Sequence, residues 1–339
     1  MNVLDSRYYP ETMNIELTTN CPLRCPQCYC SLTGGKNIDQ ETAIYWVREG
    51  ARNGVKEVML SGGETLCYPY LYEVIAEISK CNCRANVALS GFRFTQDVYE
   101  RLVDAGVYGI FISLNGSTKE INDVTRDGYQ LAISALDLLC KNGYQNTTIN
   151  WVMHSNNADD FPNIIALAEK YHVRSVVVLG LKPDSDKQLN TMPTYEQMQK
   201  VSALVKRYRG KTKLYIESCF SPLLAMTCDS KLFGNLNVGK NNGCGAGRTT
   251  VSVSVDGLLS PCRHINIFEE YQTLSQYWNE SAVMKRLREM DETMPESPCS
   301  QCRYLGYCRP CAAIMYKMDG RLYRGNKHCQ ISASENNLV

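Results

Sequence analysis

The chain has 339 residues, 44% of them hydrophobic and 21% charged, which is typical of a globular protein with one or two domains. Its 36 basic residues are balanced by 35 acidic ones, which argues against a nucleic-acid partner. It has no run of 18 apolar residues, and its start, MNVLDSRYYPE, lacks a basic flank with an apolar run. We therefore expect no membrane span, no signal peptide and a cytoplasmic location, where its 17 cysteines predict metal binding or catalysis rather than disulfides.

Short apolar runs alternate with amphipathic stretches from residue 13 to about residue 208. The runs cover residues 13–20, 57–63, 85–91, 109–116, 147–154 and 175–182. Each is rich in β-branched or aromatic residues and is bounded by Gly, Asn or Ser, as in buried parallel strands. Helices are predicted to begin after Asp39, Thr95 and Thr194, the last with Gln197 in a capping box. Six β–α units predict a parallel sheet covered by helices, either open or closed into a barrel.

The pattern changes after residue 210, where cysteines become frequent. KLYIES fits one more strand, and residues 249–262 alternate around Asp256-Gly257, which is a hairpin signal. Residues 275–290 are predicted to form one helix. We therefore predict a first domain over residues 1–209, a bridging segment over 210–240 and a cysteine-rich domain over 241–339.

The stretch CPLRCPQCYC places Cys21, Cys25 and Cys28 directly after the first predicted strand. In a parallel α/β protein this loop lies at the carboxyl edge of the sheet, where active sites gather. Three thiolates at C-x3-C-x2-C spacing can hold three corners of a [4Fe–4S] cube and leave one iron free. The alternative is a zinc site with Cys30 as fourth ligand, although the single residue between Cys28 and Cys30 is unusual for zinc.

This stretch resembles the signature of the radical S-adenosylmethionine (SAM) superfamily, C-x3-C-x-aromatic-C after the first strand of a partial (β/α)6 barrel. The resemblance implies that the open iron binds the amino group and carboxylate of SAM. An electron, delivered by a donor such as flavodoxin or ferredoxin, then cleaves SAM to a 5′-deoxyadenosyl radical that takes hydrogen from the substrate. Gln27 stands where the family has its aromatic residue, near the adenine.

Further segments match this family at later strand ends. SGGET follows the second strand, where the family has its GGE motif, and ISLNGS on the fourth resembles its ribose- and carboxylate-contacting segment. The resemblance implies SAM contacts at Gly62, Gly63, Glu64, Ser113, Asn115 and Arg126. Cys67, in the loop after GGET, is a candidate hydrogen donor to a substrate radical, although small-residue packing is the commoner role for such a cysteine.

The C-terminal cysteines resemble the seven-cysteine SPASM extension, C-x9-15-G-x4-C followed by C-x2-C-x5-C-x3-C and a last cysteine. Here two residues rather than three separate Cys308 from Cys311. The resemblance implies two auxiliary [4Fe–4S] clusters, one held by Cys299, Cys302, Cys308 and Cys329, the other by Cys244, Cys262 and Cys311. Cys228 or Cys219 is expected as the fourth ligand of the second, unless that iron is open to substrate. Structural zinc knuckles are the alternative.

Radical SAM proteins with this extension mostly modify peptides or proteins, so the resemblance implies a maturase of a ribosomally synthesised peptide that forms crosslinks or thioethers or epimerises residues. Sulfatase maturases have an aspartate after the cysteine that closes C-x-G-x4-C, whereas this chain has Arg263, which cannot accept a proton.

The predicted barrel begins within about a dozen residues of Met1, so we expect a separate leader-recognition protein, direct core-peptide binding or a small-molecule substrate. A small-molecule dehydrogenase, an anaerobic sulfatase-type maturase and a non-catalytic zinc protein remain alternatives.

Overall fold

Nine strands form one sheet in the part of the chain that the computed structural model describes, residues 8–30, 35–227, 243–305 and 308–335. The strands are β1 Thr12–Thr18, β2 Glu57–Gly62, β3 Arg84–Leu89, β4 Gly109–Ser113, β5 Thr147–Met153, β6 Ser175–Gly180, β7 Lys213–Ile216, β8 Thr250–Val253 and β9 Leu259–Ser260. Their order is β7-β6-β5-β4-β3-β2-β1-β8-β9. Strands β1 to β7 follow one another in parallel, which is the predicted α/β partial barrel.

Helices connect these strands and cover one face of the sheet. In the described residues they are α1 Gln40–Arg52, α2 Leu71–Lys80, α3 Gln96–Asp104, α4 Lys119–Asp123, α5 Tyr129–Lys141, α6 Phe161–Lys170, α7 Asp186–Leu189, α8 Tyr195–Arg207, α9 Ser221–Thr227, α10 Leu274–Glu280, α11 Ala282–Glu292, α12 Ala312–Asp319 and α13 Gln330–Glu335. Short 3₁₀ turns cover Thr65–Cys67, Ala158–Asp160 and Cys299–Gln301. Among the described helices, none is both long and apolar enough to cross a membrane.

The alternation of side chains along β1 separates the helical layer from the inside of the barrel. Met13, Ile15 and Leu17 are fully buried, and Gly50 of α1 lies against Met13, so this face carries the hydrophobic core. Glu16 therefore points to the opposite face, the inside of the barrel. All seven parallel strands β1 to β7 end at the same edge of the sheet, so the loops after them can build one site.

The predicted helix starts are confirmed by their capping hydrogen bonds. The side chain of Asp39 accepts a hydrogen bond from the Thr42 amide at the start of α1, and Thr95 caps α3 in the same way. Thr194 and Gln197 form the predicted capping box of α8. These caps satisfy amides that the first turn of a helix leaves without partners, which fixes where each helix begins.

The cysteine-rich part of the chain continues the same sheet. The predicted hairpin is confirmed as β8 and β9, and β8 pairs in parallel with β1. On the helical side, the Trp46 indole donates to the carbonyl of Gly257 over 3.0 Å, and the Leu274 amide donates to the Glu49 carboxylate over 3.1 Å. Helix α1 therefore packs against the C-terminal segment. The division at residues 209 and 240 stays a prediction.

One predicted helix is wrong: residues 275–290 form two helices, α10 and α11, rather than one. Ser281 interrupts them in an extended conformation, with ψ at 128°. Its hydroxyl accepts a hydrogen bond from the Met284 amide at 3.2 Å and donates to Glu269 at 2.5 Å. The serine therefore acts as the N-cap of a new helix, a role that helical periodicity in the flanking residues conceals.

Candidate active site and cysteine clusters

A cavity of about 160 Å³ opens at the carboxyl edge of the parallel strands. It brings together residues from the loops after β1, β2, β3, β4 and β6 and from the segment after β9. The predicted site residues among its lining are Cys21, Cys25, Cys28, Gly62, Gly63, Glu64, Ser113, Asn115 and Arg126. Segments more than a hundred positions apart in the sequence therefore meet around one space, as the strand order requires.

The two glycines of SGGET let the loop after β2 press against the end of β1. A Cβ on Gly62 would lie 2.4 Å from the carbonyl oxygen of Thr18, and one on Gly63 would lie 2.3 Å from that of Asn20. The Gly63 amide donates to Thr18 over 2.6 Å, and the Glu64 amide donates to Asn20 over 2.8 Å. Because Asn20 directly precedes Cys21, these contacts fix the start of the cysteine loop.

Cys30 behaves differently from the three cysteines before it. Its thiol donates a hydrogen bond to the carbonyl of Gly62 over 2.9 Å, a role that needs the proton a metal-bound thiolate has lost. A further hydrogen bond to Cys28, together with burial, raises the pKa of Cys30 far above its ordinary value. The possible metal ligands at this edge are therefore the three thiols of Cys21, Cys25 and Cys28, and Cys30 beside them keeps its proton.

Glu64 is fully enclosed and held by three donors. Its carboxylate accepts hydrogen bonds from the Ser90 amide at 3.0 Å, from the Ser90 hydroxyl and from the Leu66 amide at 3.3 Å. Burial raises its pKa above the ordinary range, against these hydrogen bonds. The carboxylate is thus oriented by its surroundings at the cavity wall, where it can accept a further hydrogen bond from a cationic ligand.

Arg126 carries an unused donor into the same cavity. Its backbone is fixed by hydrogen bonds with Asn122, at 2.8 Å in both directions, just beyond α4. Its Nε atom is buried and has no hydrogen-bond partner among the described residues. A buried, unsatisfied N–H on a cationic side chain costs free energy unless a ligand accepts from it. The cavity therefore suits an anionic group next to Arg126.

Asn115 lines the cavity but already uses most of its side chain. Its amide oxygen accepts from the Val152 amide at 3.1 Å, and its amide nitrogen donates to the Thr125 hydroxyl at 3.0 Å. Its role is thus first to hold the ends of neighbouring strands together. Cys67 is absent from the residues that line the cavity, so its predicted role as hydrogen donor stays a prediction without geometric support.

The structure adds cavity residues to which the sequence patterns assigned no place in this site. Lys182 follows β6, and Arg263 and His264 follow Cys262 in the C-terminal segment. The Tyr29 ring meets the His264 ring edge-on, with centroids 4.7 Å apart, and the Arg263 guanidinium lies 5.3 Å from the Tyr29 ring centre. The cysteine-rich segment therefore closes one side of the cavity.

Charged side chains surround this added wall. Burial acts to raise the pKa of Glu217, but its salt bridge of 2.6 Å with Lys182, together with Cys219 and Arg263, lowers that pKa overall. Burial raises the pKa of Glu16 to about 7, although Arg263 opposes the shift. Burial and the nearby cations Lys182 and Arg263 lower the pKa of His264 well below its ordinary value. His264 is therefore neutral at pH 7.

The C-terminal cysteines separate into the two predicted groups. The first group lines a single second cavity: Cys299, Cys302, Cys308 and Cys329. In the second group the Cys311 thiol hydrogen-bonds with Cys244, which lowers the pKa of Cys244 to about 5, and the Cys244 charge lies near Cys262. Cys228, one of the two cysteines predicted as a further ligand, lies outside the described residues.

The donor sets can be compared with what metal centres need. In the described ranges, no three His, Cys, Asp or Glu side chains are spaced to hold a single metal ion. A [4Fe–4S] cube binds each thiolate through a different iron, so its ligands stand further apart than those of one ion. At the main cavity, the three thiols, the close glycine backbone, the oriented Glu64 and the unsatisfied Arg126 fit a cluster with an adjacent zwitterionic ligand.

A comparison with known families supports this fit. The family model described as the Radical SAM superfamily matches residues 15–168. Residues 15–168 form a radical SAM superfamily domain. The superfamily implies a [4Fe–4S] cluster and SAM, and the match spans the cysteine loop, the glycine motif and Arg126.

Individual relatives resemble the chain over almost its whole length. The AdoMet-dependent heme synthase of Methanosarcina barkeri is 24% identical over 94% of this chain and 96% of its own. Streptococcus suis SuiB, solved with the precursor peptide SuiA, has a TM-score of 0.75 and 16% identity, covering 95% of this chain and 76% of SuiB. The protein anSMEcpe with bound AdoMet has a TM-score of 0.74 and 18% identity, covering 96% and 95%. These structures share the fold of this chain over most of its length.

Proposed function

We propose that this radical SAM enzyme modifies a ribosomally synthesised peptide by crosslinking, thioether formation or epimerisation. The observation that carries the proposal is the cavity at the sheet edge, where three cysteine thiols face the GGE motif. A bound cluster and SAM would supply a 5′-deoxyadenosyl radical there, which takes a hydrogen atom from the substrate. The chain's own residues bind, orient and enclose these groups.

Each side chain of the cavity has a definite part in this proposal. Cys21, Cys25 and Cys28 would hold the cluster, and the oriented carboxylate of Glu64 would accept a hydrogen bond from the SAM ammonium. The unsatisfied Arg126 would donate to the SAM carboxylate. The C-terminal segment, through Arg263 and His264, would exclude water from the side of the cavity that it closes.

Arg126→Gln should weaken SAM binding without unfolding the protein. It removes a charge-assisted hydrogen bond, so we expect an affinity loss of about 10- to 100-fold. Equilibrium binding of SAM to the reconstituted protein measures this loss. Arg101→Gln, an exposed arginine on α3 that covers the Tyr72 ring, is the control and should bind SAM like the wild type. Equal affinity of the two variants would contradict the role of Arg126.

A peptide substrate is supported by the structural neighbours. SuiB was solved with its precursor peptide, and anSMEcpe was solved with AdoMet and a peptide. Both share the fold of this chain. Arg263 also lies in the cavity wall, where an arginine cannot act as a proton acceptor, so a sulfatase-type maturation is less well supported.

Mass spectrometry tests this proposal. The reconstituted protein is incubated anaerobically with SAM, a reductant and each small peptide encoded beside its gene. A crosslink or thioether shows as the loss of two hydrogens, and an epimerisation in D₂O shows as deuterium in an otherwise unchanged peptide. Formation of 5′-deoxyadenosine without any change in any peptide would contradict the proposal.

A small-molecule substrate is the second candidate, and one observation favours it. The heme synthase relative matches nearly the whole of both chains at a higher sequence identity than the structural neighbours. In this case small alcohols, amines or carboxylated rings, added without peptide, should raise 5′-deoxyadenosine formation above the substrate-free rate. Peptides should then leave that rate unchanged.

A further inference from the structure

Cys219 lies with the second group of C-terminal cysteines, although it precedes Cys244 by 25 positions in the sequence. Cys219 and Cys311 line the same small cavity. The Cys311 thiol hydrogen-bonds with both Cys219 and Cys244. The fourth thiol, Cys262, lies within electrostatic reach of Cys244 and Cys219. Four thiols from four separate segments therefore surround one place.

The segment that carries Cys219 is held at both ends. Glu217 directly follows β7, where its amide donates to the Val178 carbonyl over 2.9 Å and its carboxylate pairs with Lys182. Ser221 opens α9, and its hydroxyl lies 3.1 Å from the Cys308 sulfur of the other cysteine group. Between these two anchors, Cys219 faces Cys311 rather than Cys308. Its position is therefore set by the sheet and not by a free loop.

A buried cation accompanies the four thiols. The side chain of Lys182 is only 8% exposed, and it lies within electrostatic reach of Cys219 and Cys311 as well as of Glu217. A lysine enclosed in this way is stabilised by negative charge around it. Its positive charge faces the thiols of Cys219 and Cys311 as well as the carboxylate of Glu217, so it stabilises the two thiolates when they bind iron.

We propose that Cys219 is the fourth protein ligand of a [4Fe–4S] cluster held by Cys219, Cys244, Cys262 and Cys311. The inference deepens the proposed function, because it assumes that the C-terminal cysteines hold clusters. Each thiol loses its proton to solvent on binding iron. With four protein ligands no iron of this cluster is open, so the substrate does not bind to it.

This assignment limits what the cluster can do for catalysis. Lys182 lines both the main cavity and the cavity of Cys219 and Cys311, so only the end of β6 separates the two spaces. A fully ligated cluster beside the main cavity makes no bond to substrate, so its role in catalysis would be limited to electron transfer. The substrate is then held by the cavity wall alone.

Iron analysis and electron paramagnetic resonance test the assignment in the full-length chain. Cys21, Cys25 and Cys28 are first replaced together by alanine, so that only the auxiliary clusters remain and SAM cleavage plays no part. In this background, Cys219→Ala should have one of two results. The variant loses about half of the auxiliary iron, or it keeps the cube with one iron open, and the spectrum then changes when cyanide binds that iron. Cys219→Ser, which offers an oxygen ligand, should keep the iron with a shifted spectrum.

Two controls make the result decisive. Cys228→Ala removes the other cysteine considered for this role and should leave iron content and spectrum unchanged. Without the Cys219 change, cyanide should not alter the auxiliary spectrum. An unchanged spectrum in Cys219→Ala, a loss of iron in Cys228→Ala, or a cyanide effect with Cys219 in place would overturn the assignment. Because the readout is bound iron, it is independent of whether the substrate is a peptide.

Discussion

Cys28→Ala should abolish SAM cleavage and remove the iron of one cube per chain. Cys28 lies in the cavity with Cys21 and Cys25, and a cube that loses one of only three protein ligands has no stable attachment. Iron analysis of the anaerobically reconstituted protein and chromatography of 5′-deoxyadenosine measure the two effects, and we expect no product above the protein-free control.

Cys30→Ala is the matched control, because it removes a thiol from the same loop. The hydrogen bond from Cys30 to the Gly62 carbonyl is lost, but no ligand is lost. The variant should therefore retain its iron and most of its SAM cleavage, with a stability loss of about 1 kcal/mol for the missing hydrogen bond. Loss of the cluster in Cys30→Ala with retention in Cys28→Ala would contradict the assigned ligand set.

Gly62→Ala should weaken SAM binding by at least about tenfold, because the cavity cannot accept the added methyl group without a shift of backbone. The new Cβ would meet the Thr18 carbonyl at 2.4 Å, and Gly62 has a φ of 135°. Because this contact is with the backbone at the end of β1, the clash can be removed only if the backbone there moves, and the loop that begins at Cys21 then moves with it. Thermal unfolding should show a loss of about 1–3 kcal/mol, and SAM affinity is measured on the reconstituted protein.

Gly54→Ala separates this clash from backbone strain. Gly54 also has a positive φ, 93°, but an added Cβ there would meet no atom within 4 Å. It should cost about 1–2 kcal/mol of stability through strain alone and leave SAM affinity unchanged. If both alanine variants lost SAM affinity equally, the close approach of Gly62 to β1 would not be what shapes the site.

The parallel part of the fold could be predicted from hydrophobic runs, because buried strands with helices between them leave few arrangements. The predicted runs continued past the carboxyl ends of the observed strands, for example to residue 116 where β4 ends at Ser113 and to residue 182 where β6 ends at Gly180. Residues in these overruns, including Asn115 and Lys182, line the cavity. The alternation of burial does not stop where the hydrogen-bonded strand stops, so sequence patterns cannot locate that boundary.

The wall built by the C-terminal segment could not be predicted in the same way. Arg263 and His264 meet Tyr29 only because β8 pairs with β1, a contact between segments more than two hundred residues apart. The burial of His264 depends on this pairing. Cys219 was one of two possible cluster ligands in the sequence, and the structure places it beside Cys311.

The binding of SAM to an iron that lacks a protein ligand tests the central claim most directly. The wild-type protein is purified anaerobically, reduced, and examined by electron paramagnetic resonance with and without SAM. We predict a brown protein whose spectrum changes on addition of SAM, and a spectrum that no longer responds when Cys21, Cys25 and Cys28 are replaced by alanine. A colourless protein that contains zinc and no iron, or an iron signal that SAM leaves unchanged, would contradict the account.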